Sequence, residues 1–178
     1  MRTTLASVLL STGALGLTAS AAFAQEIEFP ARKAGMWEIQ MVDQPAAPNM
    51  TIKACIDEAS DREMMQAGFN MSKDMCSELS MNQEGESYII DATCQFAGMN
   101  SKSHTVMTGD FQSAYQTVTT SEISGMPSIP GMSGPTTLTQ NATWVSAECS
   151  DGLVPGEMLM PGGMKVNVND MMKSMGGG

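Results

Sequence analysis

The sequence predicts a mainly β protein, an antiparallel meander of about seven strands curled into a partly closed barrel or a sandwich, with one short helix and a methionine-rich C-terminal tail. Three observations predict it. Short runs with an apolar residue at every second position recur between 36 and 149, bounded by Gly, Pro, Asn or Asp. The helical crossovers that a parallel sheet needs are missing. Four cysteines follow a leader for export, and an even number in an oxidising compartment reads as two disulfides.

The leader is residues 1–24. Arg2 supplies its positive start, an apolar stretch runs from Leu5 to about Ala21, and Ala22-Phe23-Ala24 fits a signal-peptidase site. The apolar stretch is short for a span and is interrupted by Ser, Thr and Gly. No cysteine stands at the cleavage site, so lipid attachment there is not indicated. Cleavage after Ala24 would deliver a soluble, periplasmic product. The remaining chain divides into a β domain over 25–149 and a Gly/Pro/Met-rich tail over 150–178.

The first strand covers 36–42, where Trp37, Ile39 and Met41 share one face. Gln44 to Pro48 breaks it, and 50–56 forms the second strand of a hairpin. Ser60-Asp61-Arg62-Glu63 reads as a capping box, which predicts a helix over about 60–68 ending at Gly68. A hairpin over 76–94 follows, turning at Glu84-Gly85 and pairing Met81 with Tyr88, Leu79 with Ile90 and Ser77 with Ala92. Strand-like runs at 103–111 and 115–123 come next, the second rich in Thr. A Gly/Pro loop at 125–135 leads to the last strand, 136–149, with Leu138, Ala142 and Trp144 on one face. In this register Cys76 and Cys94 point to opposite sides of the hairpin. Cys55 shares the outer face of Cys76, so the pleat predicts Cys55–Cys76 and Cys94–Cys149 bridges.

The formal net charge is −10, and removal of Arg2 with the leader makes it one unit more negative. Lys102, Lys165 and Lys173 are isolated, so no basic patch offsets a field that repels nucleic acid. Catalysis finds little support. His104 is the single histidine and has no G-x-S-x-G element or other nucleophile signature. It reads as a half-exposed strand residue. Asp57, Glu58, Asp61 and Glu63 flank a helix start, where acids stabilise the dipole. No phosphate loop is present. No catalytic residue and no resident cofactor are expected.

Gly35-Met36-Trp37-Glu38, close behind the leader, and Cys55, Cys76, Cys94 and Cys149 resemble the exported bacterial proteins grouped as domain of unknown function three-six-one-seven. The resemblance covers roughly 34–149 and implies a small disulfide-bonded β domain of the cell envelope, with no activity or cofactor attached. Two features depart from the family pattern. The tail after Cys149 is additional, and the Met-Pro-Gly stretches fall late, at 125–135 and 160–164.

Nineteen methionines remain to be placed. Thioether sulfur is a soft, uncharged donor suited to Cu(I) or Ag(I). Met158, Met160, Met164, Met171, Met172 and Met175 have M-x-M and M-x-x-M spacings that could converge on one ion, and Met126 and Met132 flank the Pro loop. Val168, Met171, Met172 and Met175 also form the apolar stripe of a short helix. Methionine equally suits an adaptable apolar contact surface. The sequence therefore points first to a non-enzymatic envelope module that is structural or binds a partner protein. A periplasmic Cu(I)/Ag(I)-binding protein and a carrier of a small apolar ligand are the alternatives.

Overall fold

A computed structural model describes residues 29–42, 50–96, 98–125, 134–168 and 170. The strands are β1 (Gly35–Val42), β2 (Met50–Ile56), β3 (Cys76–Glu84), β4 (Ser87–Phe96), β5 (Met99–Gly109), β6 (Ala114–Ser124), β7 (Thr136–Ser146), β8 (Glu157–Leu159) and β9 (Lys165–Asn167), and helix α1 is Glu58–Met75. All pair antiparallel in one sheet of order β3-β4-β5-β6-β7-β1-β2-β8-β9. The sheet has edges at β3 and β9 and does not close. Of the expected seven-strand meander, β3 to β7 form one; β1 and β2 join it on the β7 side instead of leading into β3, and neither a barrel nor a sandwich results. Two strands beyond the expected seven come from residues 150–168. They are held by Lys53, which donates to Asp151 (2.9 Å), and by Lys165, which donates to the Gly152 carbonyl (2.8 Å). Hydrogen bonding to Lys53, with Ser150 beside it, holds the Asp151 carboxyl below its usual range.

Helix α1 is longer than the sequence predicts and starts two residues earlier. Asp57 follows β2 directly and is itself the cap. Its carboxylate accepts from the Ser60 amide (2.8 Å), and the Ser60 hydroxyl accepts from the Asp57 amide (2.9 Å). Those bonds hold the Asp57 carboxyl below its usual range. Gly68, the expected stop, lies inside the helix at a local cost of about 1 kcal/mol relative to Ala. Tertiary geometry overrides that cost. The helix leaves β2 and enters β3, six strand spacings away in the sheet. Six spacings are about 29 Å and eighteen helical residues about 27 Å, so a helix ending at Gly68 would fall short.

The core sits under β1, β2 and β7. Trp37, Ala54, Ile56 and Ala142 are buried on the face that α1 crosses, with Met64, Tyr115 and Met158 packed against them. On the other face Met36, Cys55 and Leu153 form a second buried cluster with Cys149 and Leu159. The chain after β7 thus covers what the alternation marks as an outer face. Gly35 is required where β1 meets β7. It has φ +125°, and a Cβ there would lie 2.1 Å from the Ser146 carbonyl oxygen.

Both predicted bridges are corrected: Cys55 pairs with Cys149, and Cys76 with Cys94. Two facts of register explain this. The hairpin turns at Gly85-Glu86 instead of Glu84-Gly85, because Gly85 (φ +61°) takes the first central position of a two-residue loop. Met81 then pairs with Ile90 and Leu79 with Ala92. This shift of two leaves the faces unchanged, and a regular strand would set Cys76 against Gln95. A bulge at Ser77 inserts one residue, turns Cys76 to the other face and sets it opposite Cys94. Cys55 does lie on the face away from Ile52 and Ala54, as the pleat requires, but the partner on that face is Cys149.

Candidate functional site

Directly paired residues in neighbouring strands share a face, so the register sorts the sheet into two surfaces. One carries Glu78, Thr93, Lys102 and Glu122 in a row across β3 to β6, and Ser80, Asp91, His104 and Thr120 in the next. These rows line a concavity open to solvent. Within it His104 Nδ1 lies 2.7 Å from Asp91 Oδ1, and Thr93 donates to Glu78 (3.0 Å). His104 therefore has an acid partner, which strand pairing supplies and sequence distance hides. Both side chains are 54% exposed, and among the described hydrogen bonds none joins the imidazole to a Ser or Thr hydroxyl. The arrangement is a solvated ladder of cross-strand pairs.

The other face is the one α1 crosses, and it changes character along the strands. At the end where β1 begins it is sealed. Phe111 stacks on Tyr115 (4.9 Å) and meets Tyr88 edge-on (5.5 Å), while Tyr115 reaches Trp37 (5.5 Å). Phe111 and Met107 are buried. Asp110 fixes this corner by accepting from the amides of Gln112, Ser113 and Ala114 and from the Ser113 hydroxyl, and those bonds hold its carboxyl far below the usual range. Behind the aromatic cluster, Arg32 Nε donates to Asp61 Oδ1 (2.7 Å), the Arg32 amide to Asp61 Oδ2 (2.9 Å) and Nη1 to the Tyr115 hydroxyl (3.2 Å). Burial pulls the Arg32 pKa down. Its attraction to Tyr115 and Asp61 and its hydrogen bonds outweigh that, leaving it above the ordinary arginine value.

Away from this sealed end the same face is only half filled. Ile90, Thr105, Thr119 and Leu138 form one row, with Met41 and Met50 nearby, and all are half-buried. The Thr105 and Thr119 hydroxyls bond each other at 3.0 Å, which satisfies one donor and one acceptor of the pair. Helix α1 lies over this face and comes closest to β2, β3 and β4, at its two ends. Its buried residues are Ser60 and Asp61, both in the first turn. Met64, Met65 and Phe69 stay half-exposed. Half-buried side chains of mixed polarity thus face a helix whose apolar residues are themselves half-exposed.

Three methionines of the expected metal set, Met158, Met160 and Met164, lie among the described residues. Met158 packs into the Trp37 cluster. Met160 and Met164 meet at the turn between β8 and β9, where the Met160 amide donates to the Met164 carbonyl (2.8 Å). Met171, Met172 and Met175, with Met126 and Met132, lie outside the described residues, as does the leader. No group of three His, Cys, Asp or Glu that could hold a metal is present among the described residues. Sequence reasoning missed Arg32, Phe111 and Asp91. Nothing local marks them, since each acts through a residue 29, four or 13 positions away.

The fold and this face define a disulfide-bonded β domain built on one open sheet with a helix laid across it. The chain belongs to the family described as Protein of unknown function (DUF3617), whose model matches residues 32–149. No curated protein and no solved structure matches the chain. The matched span contains both disulfides, Arg32 and the Gly35-Met36-Trp37-Glu38 element, while β8 and β9 lie beyond it. All four cysteines are bridged, which fits an oxidising, exported environment. Among the described residues no helix is long and apolar enough to cross a membrane.

Proposed function

We propose that this protein is an exported, non-catalytic envelope protein that binds a small apolar ligand between α1 and the sheet. One observation carries the reading: an 18-residue helix crosses an apolar sheet face while burying only Ser60 and Asp61 of its own length. Protein interiors are ordinarily close-packed, and a half-filled apolar layer fits a surface completed by something bound. This takes up the carrier, one of the two alternatives the sequence offered, in place of the partner-protein module it put first. Neutral phenylnaphthylamine should bind and brighten, and native mass spectrometry of exported protein should show an added mass. Replacing Thr119 with Phe fills the face and should weaken the probe at least about tenfold, since one bulky side chain in a well-defined apolar site costs on the order of 1–3 kcal/mol. Absence of both probe uptake and added mass would sink the reading.

A second reading has one observation in its favour. The turn between β8 and β9 brings Met160 and Met164 together, with Met164 61% exposed. Two thioethers at one turn suit Cu(I) or Ag(I). Anaerobic competition against a Cu(I) chelator should show affinity that falls at least about tenfold in the Met160→Leu/Met164→Leu variant, the scale of losing soft ligands from a small set. Equal affinity in both proteins, or none in either, ends it.

A further inference from the structure

Packing does not account for nineteen methionines in this chain. Methionine is among the residues most often fully buried, yet of the described ones only Met36 and Met107 are. Met164 is 61% exposed, Met71 43% and Met75 37%. The other described methionines keep part of their surface in water. The three exposed ones do not share a patch. Met71 and Met75 lie in the last two turns of α1, directly ahead of β3 at one edge of the sheet. Met164 lies between β8 and β9 at the other edge. From β3 to β8 is seven strand spacings, about 34 Å along the sheet. No one ion reaches both places. What the three positions share is a thioether in water. No thiol competes with them for an oxidant, because all four cysteines are bridged.

We propose that Met71, Met75 and Met164 are modification sites and that the protein is a reversible sink for two-electron oxidants of the hypochlorous acid class. The sulfur gives an electron pair to the chlorine of HOCl, and water then supplies oxygen to the sulfur. The products are a sulfoxide, chloride and one net proton. Sulfur loses two electrons and chlorine gains two. A methionine sulfoxide reductase, drawing on two thiols, returns the thioether and leaves water and a disulfide. The fold separates the reactive sulfurs from the ones it depends on. A sulfoxide is polar and disrupts a core, but the two core methionines are shielded, Met36 at 1% and Met107 at 8% exposure. Met36 packs with Cys55 and Leu153, whereas Met71, Met75 and Met164 belong to neither buried cluster. Oxidation therefore falls first on side chains whose polarity the fold can change without loss. The sink is independent of the carrier reading and does not require a ligand beneath α1.

The experiment titrates the full exported chain with hypochlorous acid at neutral pH and maps added oxygen by peptide mass. Met71, Met75 and Met164 should be oxidised first, with Met36 and Met107 at least about tenfold slower, since susceptibility follows exposure. The melting temperature should hold while the exposed three are converted. Reductases for both sulfoxide epimers, supplied with dithiothreitol, should restore the original mass over repeated rounds. The Met71→Leu/Met75→Leu/Met164→Leu variant should keep the wild-type melting temperature and lose one equivalent of fast oxidant uptake per replaced sulfur. In cells that export either form at equal level, a sublethal dose should leave more sulfoxide on the other envelope proteins when the triple variant replaces the wild type. Four results each overturn the sink: oxidation of Met36 or Met107 alongside the exposed three, a melting temperature that falls with the first equivalents, sulfoxides that the reductases do not remove, or equal sulfoxide on the other envelope proteins with both forms.

Discussion

Replacing Cys55 and Cys149 with alanine is expected to lower the unfolding free energy by about 4–5 kcal/mol, against about 3 kcal/mol for the Cys76/Cys94 pair. The two bridges close loops of very different length, with sequence separations of 94 and 18. On the chain-entropy account the longer loop restricts the unfolded ensemble more. Packing adds to the difference. Cys55 is fully buried between Met36 and Leu153, so its bridge also anchors the segment that covers the second face of β1 and β2. A domain of this size has only about 5–15 kcal/mol in total, so the first variant should be marginal at growth temperature. Urea unfolding of both variants with matched slopes measures the hierarchy. Equal losses, or a greater loss from Cys76/Cys94, would show that the tail segment is held by something other than this bridge.

Asp61→Ala should cost about 3–5 kcal/mol and lower the melting temperature by roughly 10 °C. The two side chains are each 5% exposed, and Asp61 is the only carboxylate that Arg32 bonds among the described contacts. Removing it leaves a buried guanidinium with the Tyr115 hydroxyl as its one described side-chain partner. The pair joins the residues ahead of β1 to the first turn of α1, so it also fixes where the helix begins its crossing. Arg32→Met/Asp61→Leu exchanges the pair for apolar groups and should recover about half of the loss, because the penalty comes from the stranded charge more than from the lost attraction. Thermal melts of the single and double variants decide this. A double variant as unstable as Asp61→Ala would show that the pair's geometry, and not desolvation, supports the crossing.

Much of this fold is legible from residues a few positions apart. Trp37, Ile39 and Met41 mark one face of β1 by simple alternation, and Leu138, Ala142 and Trp144 do the same for β7. Asp57 through Glu63 announce a helix start, although two overlapping caps compete there and the one nearest the end of β2 wins. His104 is recognisable as the sole candidate for proton chemistry. Its partner Asp91 is not, because only the register of β4 against β5 brings it within 2.7 Å.

The amino-acid sequence alone determined the antiparallel β class, the approximate positions of the first seven strands along the chain, the presence of the helix and the even cysteine count that calls for two bridges. These follow from local terms, namely side-chain alternation, turn residues and capping, which act over a few residues and are written where they act. The tertiary structure decided which cysteines meet, how far the helix runs, and that residues 150–168 add two strands and bury a face. Each of those depends on contacts between distant segments. A single bulge at Ser77 or a strand docking on β2 changes which side chains face each other without any local residue announcing it.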